Sequence, residues 1–91
     1  MELWFAAHGR TLYALAGGGE RAGWVANIRR EPAVEVLVGG ARLAGRGRVV
    51  AGGDEDALAR RLLLEKYQPG HGGDLTRWSR ESLPVAIDLH T

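Results

Sequence analysis

The chain is 91 residues long, 45% hydrophobic and 25% charged, with a formal net charge of +1 and no cysteine. That length suits one domain whose thin core buries roughly 60–65% of the unfolded surface, and the ordinary balance of apolar and charged residues argues against disorder. Near-neutrality removes a global field for nucleic acid, the missing cysteines remove disulfides, thiolate metal sites and a cysteine nucleophile, and no apolar run approaches the ~20 residues of a membrane span.

Taken in chain order, Leu3 to Ala7 is apolar and runs through His8-Gly9-Arg10 into Thr11-Leu12-Tyr13-Ala14-Leu15-Ala16. Two short apolar runs around a three-residue, glycine-containing turn predict a β-hairpin. Gly17-Gly18-Gly19-Glu20-Arg21 breaks regular structure. From Ala22 to Arg30 the period turns helical: Trp24 and Ile28 share a face, and Arg29 and Arg30 suit the negative end of the helix dipole. Pro32 stops it.

Val34, Val36 and Val38 alternate along a half-buried strand, and Gly39-Gly40 is a two-residue hairpin turn. The next strand, about Ala41 to Val50, places Leu43, Gly45, Gly47 and Val49 on one face and Arg42, Ala44, Arg46 and Arg48 on the other. Glycines inside a strand mark a bend or a close backbone approach. Asp54 is the expected N-cap of a helix from Glu55 to about Tyr67, with Leu58, Leu62 and Leu63 as its apolar face. Gly70-His71-Gly72-Gly73 reads as a mobile link. Asp74 then caps a short helix through Trp78, and Pro84 introduces a last strand with Val85, Ile87 and Leu89 inward.

The order β-β-α-β-β-α-α-β predicts an α+β domain, mainly β: a small antiparallel sheet with peripheral short helices, the terminal strand closing it into a partly closed barrel. One domain over residues 1–91 is expected. Its thin core favours a homodimer.

Catalytic constellations are missing. His8, His71 and His90 have no ligand-like spacing, so no metal is expected. Ser79 and Ser82 lack a nucleophile elbow, and Glu55 and Asp56 read as dipole partners. The one Gly-x-Gly-x-x-Gly match, Gly40 to Gly45, has no helix after it and is read as chance. The Arg42, Arg46, Arg48 stripe reads as a solvated face or an edge guard rather than a nucleic-acid surface. Neither a basic n-region nor a long apolar segment occurs near Met1, so the expected location is cytoplasmic, without membrane contact.

The best candidate site is the loop Gly17-Gly18-Gly19-Glu20-Arg21 leading into the Trp24 helix. Glycines admit a ligand close to the backbone, a helix N-terminus favours anions, Arg21 carries charge and Trp24 offers a flat face. A flexible loop followed by a core tryptophan is the competing reading.

The run Trp24-Val25-Ala26-Asn27-Ile28-Arg29-Arg30-Glu31-Pro32, followed by a valine strand and a Gly-Gly turn, resembles the deazaflavin-dependent nitroreductase or quinone reductase family of the FMN-binding split barrels. The likeness extends from Leu12-Tyr13-Ala14-Leu15-Ala16-Gly17-Gly18 to Leu83-Pro84-Val85-Ala86-Ile87-Asp88-Leu89. It implies a split β-barrel, a small-molecule cofactor (the deazaflavin coenzyme F-420 or FMN), and hydride transfer to a nitro, quinone or similar electrophile. It also implies a cofactor cleft bordered by Gly17, Gly18, Gly19, Arg21, Trp24 and Asn27, while naming no catalytic residue. Family members usually carry an N-terminal helix and hairpin ahead of the segment matching Leu3-Trp4-Phe5, so the domain is expected to be abbreviated at its N-terminus. A non-catalytic or vestigial split-barrel module that chiefly dimerises is the alternative.

Overall fold

The computed structural model describes residues 4–50, 52–70 and 72–90, apart from the side chain of Glu20. Strands β1 (Phe5–His8) and β2 (Thr11–Ala16) form the first hairpin. His8 pairs with Thr11, so the loop is Gly9-Arg10, shorter than the three residues expected. Gly9 takes a φ of 63°, the left-handed first position of a II′-like hairpin loop. The expected start at Leu3 lies outside the described residues.

The glycine loop is not wholly irregular, because Gly19–Arg21 forms a single 3-10 turn. Helix α1 (Gly23–Arg30) follows, and Glu31 is extended at φ −140°, ψ 94°, as the ring of Pro32 demands. Strands β3 (Ala33–Val38) and β4 (Ala41–Val49) are joined by Gly39-Gly40. Both glycines have positive φ, 56° and 83°, which a type I′ turn requires.

Helix α2 (Gly53–Tyr67) begins earlier than expected. Gly52 is its N-cap, and the Asp56 carboxylate accepts the Gly52 N–H at 3.2 Å, so Asp54 lies inside the first turn instead of capping it. The link after α2 is pinned by Gln68: its Nε2 donates to the Gly73 carbonyl and its Oε1 accepts the Leu75 N–H, each at 2.7 Å. His71 lies outside the described residues. Leu75, not the expected Asp74, is the N-cap of α3 (Thr76–Glu81), which runs three residues past Trp78; Asp74, one residue earlier, accepts the Thr76 N–H at 2.9 Å. Arg60 ties α2 to the end of α3, with Nη1 donating to the carbonyls of Ser79, Arg80 and Ser82 and Nε paired to Asp56 at 2.6 Å.

Strand β5 (Leu83–Leu89) completes one antiparallel sheet in the order β1-β2-β5-β4-β3. The protein is thus α+β with peripheral short helices, as expected, but the sheet is open. β5 pairs with β2 on one side and β4 on the other, so it joins the two hairpins and has no free edge with which to close them.

Each face carries its own cluster. Tyr13, Leu15 and Ala86 meet Ala59 and Leu63 of α2, while Ala16 and Val85 meet Val25 and Ile28 of α1. β5 is therefore buried on both faces, and Ala86 is as inaccessible as Val85, although the alternation suggested one inward face. Gly47 is what lets α1 lie flat on β4: a Cβ there would stand 2.9 Å from Ile28 Cγ2.

Candidate functional site

Between α1 and the α1 face of the sheet lies a cleft of about 750 Å³, within the ~300–1,000 Å³ of small-molecule sites. Leu12 and Ala14 of β2 and Ile87 of β5 form its floor. Trp24, Asn27, Ile28 and Arg30 of α1 border it on one side and the whole of β3 on another, while Phe5 reaches it from β1. Both edge strands line one concavity, so the open sheet curls around it.

β3 contributes two kinds of surface. Val34, Val36 and Val38 are its half-buried residues, and Ala33, Glu35 and Leu37 its exposed ones. Gly47 N–H donates to the Pro32 carbonyl at 2.8 Å while Ala33 stands opposite Arg46. In an antiparallel ladder that makes Ala33, Glu35 and Leu37 the non-hydrogen-bonded positions toward β4, so their N–H and C=O groups point to the free edge. The valines give an apolar wall, and the odd-numbered backbone gives a row of donors and acceptors. The opposite edge is covered at Phe5. Tyr67 Oη accepts the Phe5 N–H and donates to the Phe5 carbonyl, both at 3.0 Å, and Lys66 Nζ donates to that carbonyl at 2.7 Å.

Of the six residues singled out in the sequence, Trp24 and Asn27 are brought together on the cleft. Trp24 is half-buried against the Val25–Ile28 cluster, and Asn27 is exposed one turn later. Gly17, Gly18, Gly19 and Arg21 are not among the lining residues; they sit at the N-terminal end of α1. A Cβ on Gly17 would stand 3.9 Å from Trp78 Nε1, and Gly18 packs over Ala22. The 3-10 turn also consumes two donors of this loop, since Arg21 N–H bonds Gly18 and Ala22 N–H bonds Gly19, each at 3.1 Å. Arg30 and the β3 wall were not singled out. Arg30 follows Asn27 at the same i+3 step that links Asn27 to Trp24, and that spacing was the signal available.

On the opposite face the arginine stripe divides. Arg42 pairs loosely with Glu35 at 3.6 Å. Arg48 is held on two sides: its Nη groups donate to both Glu55 oxygens, and its Nε donates to Asp88 Oδ2 at 2.7 Å. Tyr13 Oη donates to Glu55 at 2.8 Å and Thr11 Oγ1 to Asp88 at 2.9 Å. The Arg48 guanidinium holds both carboxyls below their usual range, and burial followed by the Glu55 contact pushes the Tyr13 phenol up. With each charge already satisfied, this cluster fastens the N-terminus of α2 to the sheet.

A family model described as F420H(2)-dependent quinone reductase matches residues 2–90. The chain belongs to that family. It is therefore a deazaflavin-dependent oxidoreductase in kind, a class in which the coenzyme carries the redox chemistry and the protein binds and orients it. A comparison with curated proteins gives no match. No helix among the described residues is long and apolar enough to cross a membrane.

Proposed function

We propose that this chain transfers hydride from the reduced deazaflavin coenzyme, rather than from FMN, to a quinone, with both rings taken into the cleft between α1 and β3. The observation that carries the reading is the cleft itself: an apolar floor and valine wall, the flat half-buried face of Trp24, and a strand edge of unpaired backbone groups. A planar ring with alternating carbonyl and N–H groups on one edge fits such a surface, because the apolar walls cover its faces and the β3 backbone answers its edge. The coenzyme also carries an acidic tail. α1 spans about 12 Å at the ordinary helical rise, so a tail leaving the cleft along it reaches exposed Gly17, Gly18 and Arg21, with Gly19 beside them. That keeps the six-residue set as one proposed binding surface, with Trp24 and Asn27 at the ring and the loop at the tail.

A split barrel completed by a second copy belongs to the same proposal, supported by the β3 edge, uncovered among the described residues, and by Leu37, 70% exposed on it. A cytoplasmic site of action fits a chain without cysteine. The direct test is titration of the full chain with oxidised deazaflavin coenzyme and with FMN, read by tryptophan quenching. Deazaflavin binding that Trp24→Ala weakens far more than it lowers the denaturation midpoint supports the proposal. No quenching by deazaflavin at millimolar concentration removes it.

A further inference from the structure

Arg30 is the one cationic side chain lining the cleft among the described residues. Its Nη2 donates to Asn27 Oδ1 at 3.0 Å, and Asn27 lies one turn beyond Trp24, so three cleft residues follow one another along α1. A guanidinium has five N–H donors. Asn27 takes one, and among the described residues no carboxylate forms an ion pair with Arg30. The two acids bordering the cleft do not cancel it. Glu35 belongs to the exposed, odd-numbered set and is paired with Arg42. Glu31 is the exposed residue that ends α1. Arginines are common in a last helical turn, where they suit the dipole. That accounts for Arg29 and Arg30 equally; it does not account for Arg30 bordering an apolar cleft with a side-chain tether one turn back.

We infer that Arg30, oriented by Asn27, is the oxyanion-binding residue of this cleft. The inference rests on the proposed quinone reduction. When a hydride, with its electron pair, leaves reduced deazaflavin for a neutral quinone, the coenzyme is oxidised and one quinone oxygen becomes a phenolate-like anion. A proton from water then completes the hydroquinone. That transient oxygen, or an acidic substituent already present on the ligand, offers the guanidinium fork the same chemistry.

The two sources separate by experiment on the full chain, with a methyl-substituted naphthoquinone as neutral probe and a naphthoquinone sulfonate as anionic probe. Tryptophan quenching gives Kd, and turnover with reduced deazaflavin gives kcat. If the transient oxygen is bound, Arg30→Gln lowers kcat for the neutral quinone roughly tenfold or more and leaves its Kd unchanged. If a substituent is bound, Kd for the sulfonate rises by a similar factor and Kd for the neutral quinone does not move. Arg30→Lys keeps charge without the fork and recovers part of either effect, and Asn27→Ala gives a smaller loss in the same direction. Should Arg30→Gln leave kcat and both dissociation constants unchanged, the inference is overturned while the quinone-reductase reading stands. A wild-type chain quenched by neither probe removes that reading and the inference together.

Discussion

Gly45 and Gly47 occupy the same strand face, yet a side chain at each meets a different obstacle. At Gly45 the new Cβ would stand 2.9 Å from the carbonyl oxygen of Asp88, which is backbone held in the β4–β5 ladder. At Gly47 it would stand 2.9 Å from Ile28 Cγ2, a side chain on the helix that borders the cleft. Overpacking costs about 1–3 kcal/mol, so both alanine variants are expected to lower the urea midpoint, Gly45→Ala more because backbone yields less. Gly47→Ala lifts α1 from the sheet, so it should alter quenching by the deazaflavin coenzyme more than Gly45→Ala, which reaches the cleft only through the floor residue Ile87, whose Cγ2 also lies 2.9 Å from the Gly45 Cβ. Equal effects of both on binding would remove that distinction. Trp24→Ala removes a half-buried ring, and its stability loss is expected near 2 kcal/mol, below the ~3–5 kcal/mol of a fully buried aromatic; chemical denaturation measures it.

The two edge strands differ in a way that sequence pattern conceals. Tyr67 stacks on Trp4 with centroids 4.5 Å apart and nearly parallel rings, and its hydroxyl satisfies both outward backbone groups of Phe5. Tyr67→Phe keeps the ring and removes that cover. The expected loss is about 1 kcal/mol, with faster hydrogen exchange at the Phe5 amide; unchanged exchange there would contradict the role. The contact joins residues 62 apart, and separation of this kind decides what the sequence reveals. The element order and both hairpins were legible, because glycine turns, Pro32 and the valine alternation act locally. The insertion of β5 between the hairpins was not: it depends on pairing Leu12 with Ile87 and Gly47 with Ile87, which no local pattern encodes. The cleft follows from that insertion. Trp24 was legible from its flat ring beside the glycine loop and Asn27 only from the family resemblance, whereas the β3 wall becomes a site only once the sheet curls with β1 on its far side.

At the scale of the whole molecule, the charge cluster around Arg48 links β2, β4, β5 and α2, so its titration reports on folding. Glu55 and Asp88 are lowered chiefly by Arg48, and Asp56 by Arg60. A carboxyl whose pKa is lower folded than unfolded leaves the unfolded state with more bound protons in that range, so stability rises with pH there. The contribution is complete above the unfolded values of about 4 and is lost as pH falls through the folded ones. Tyr13 acts at the other end, because its phenol is raised by burial and by Glu55; its contribution is lost only as pH climbs beyond about 10. A plateau between roughly pH 6 and 9 with an acid limb below about 5 is expected in the urea midpoint. Arg48, Glu55 and Asp88 keep 42%, 36% and 47% of their side-chain surface in water, so solvent and salt screen the cluster and the limb is modest. Arg48→Gln returns Glu55 and Asp88 toward their unfolded values and should make the acid limb shallower as well as lowering the plateau. Arg42→Gln, which removes only the loose exposed contact with Glu35, should leave both unchanged. If the two variants gave the same acid limb, the cluster would not be the source of the pH dependence, and the Asp56–Arg60 pair on α2 would be the next carboxylate to examine.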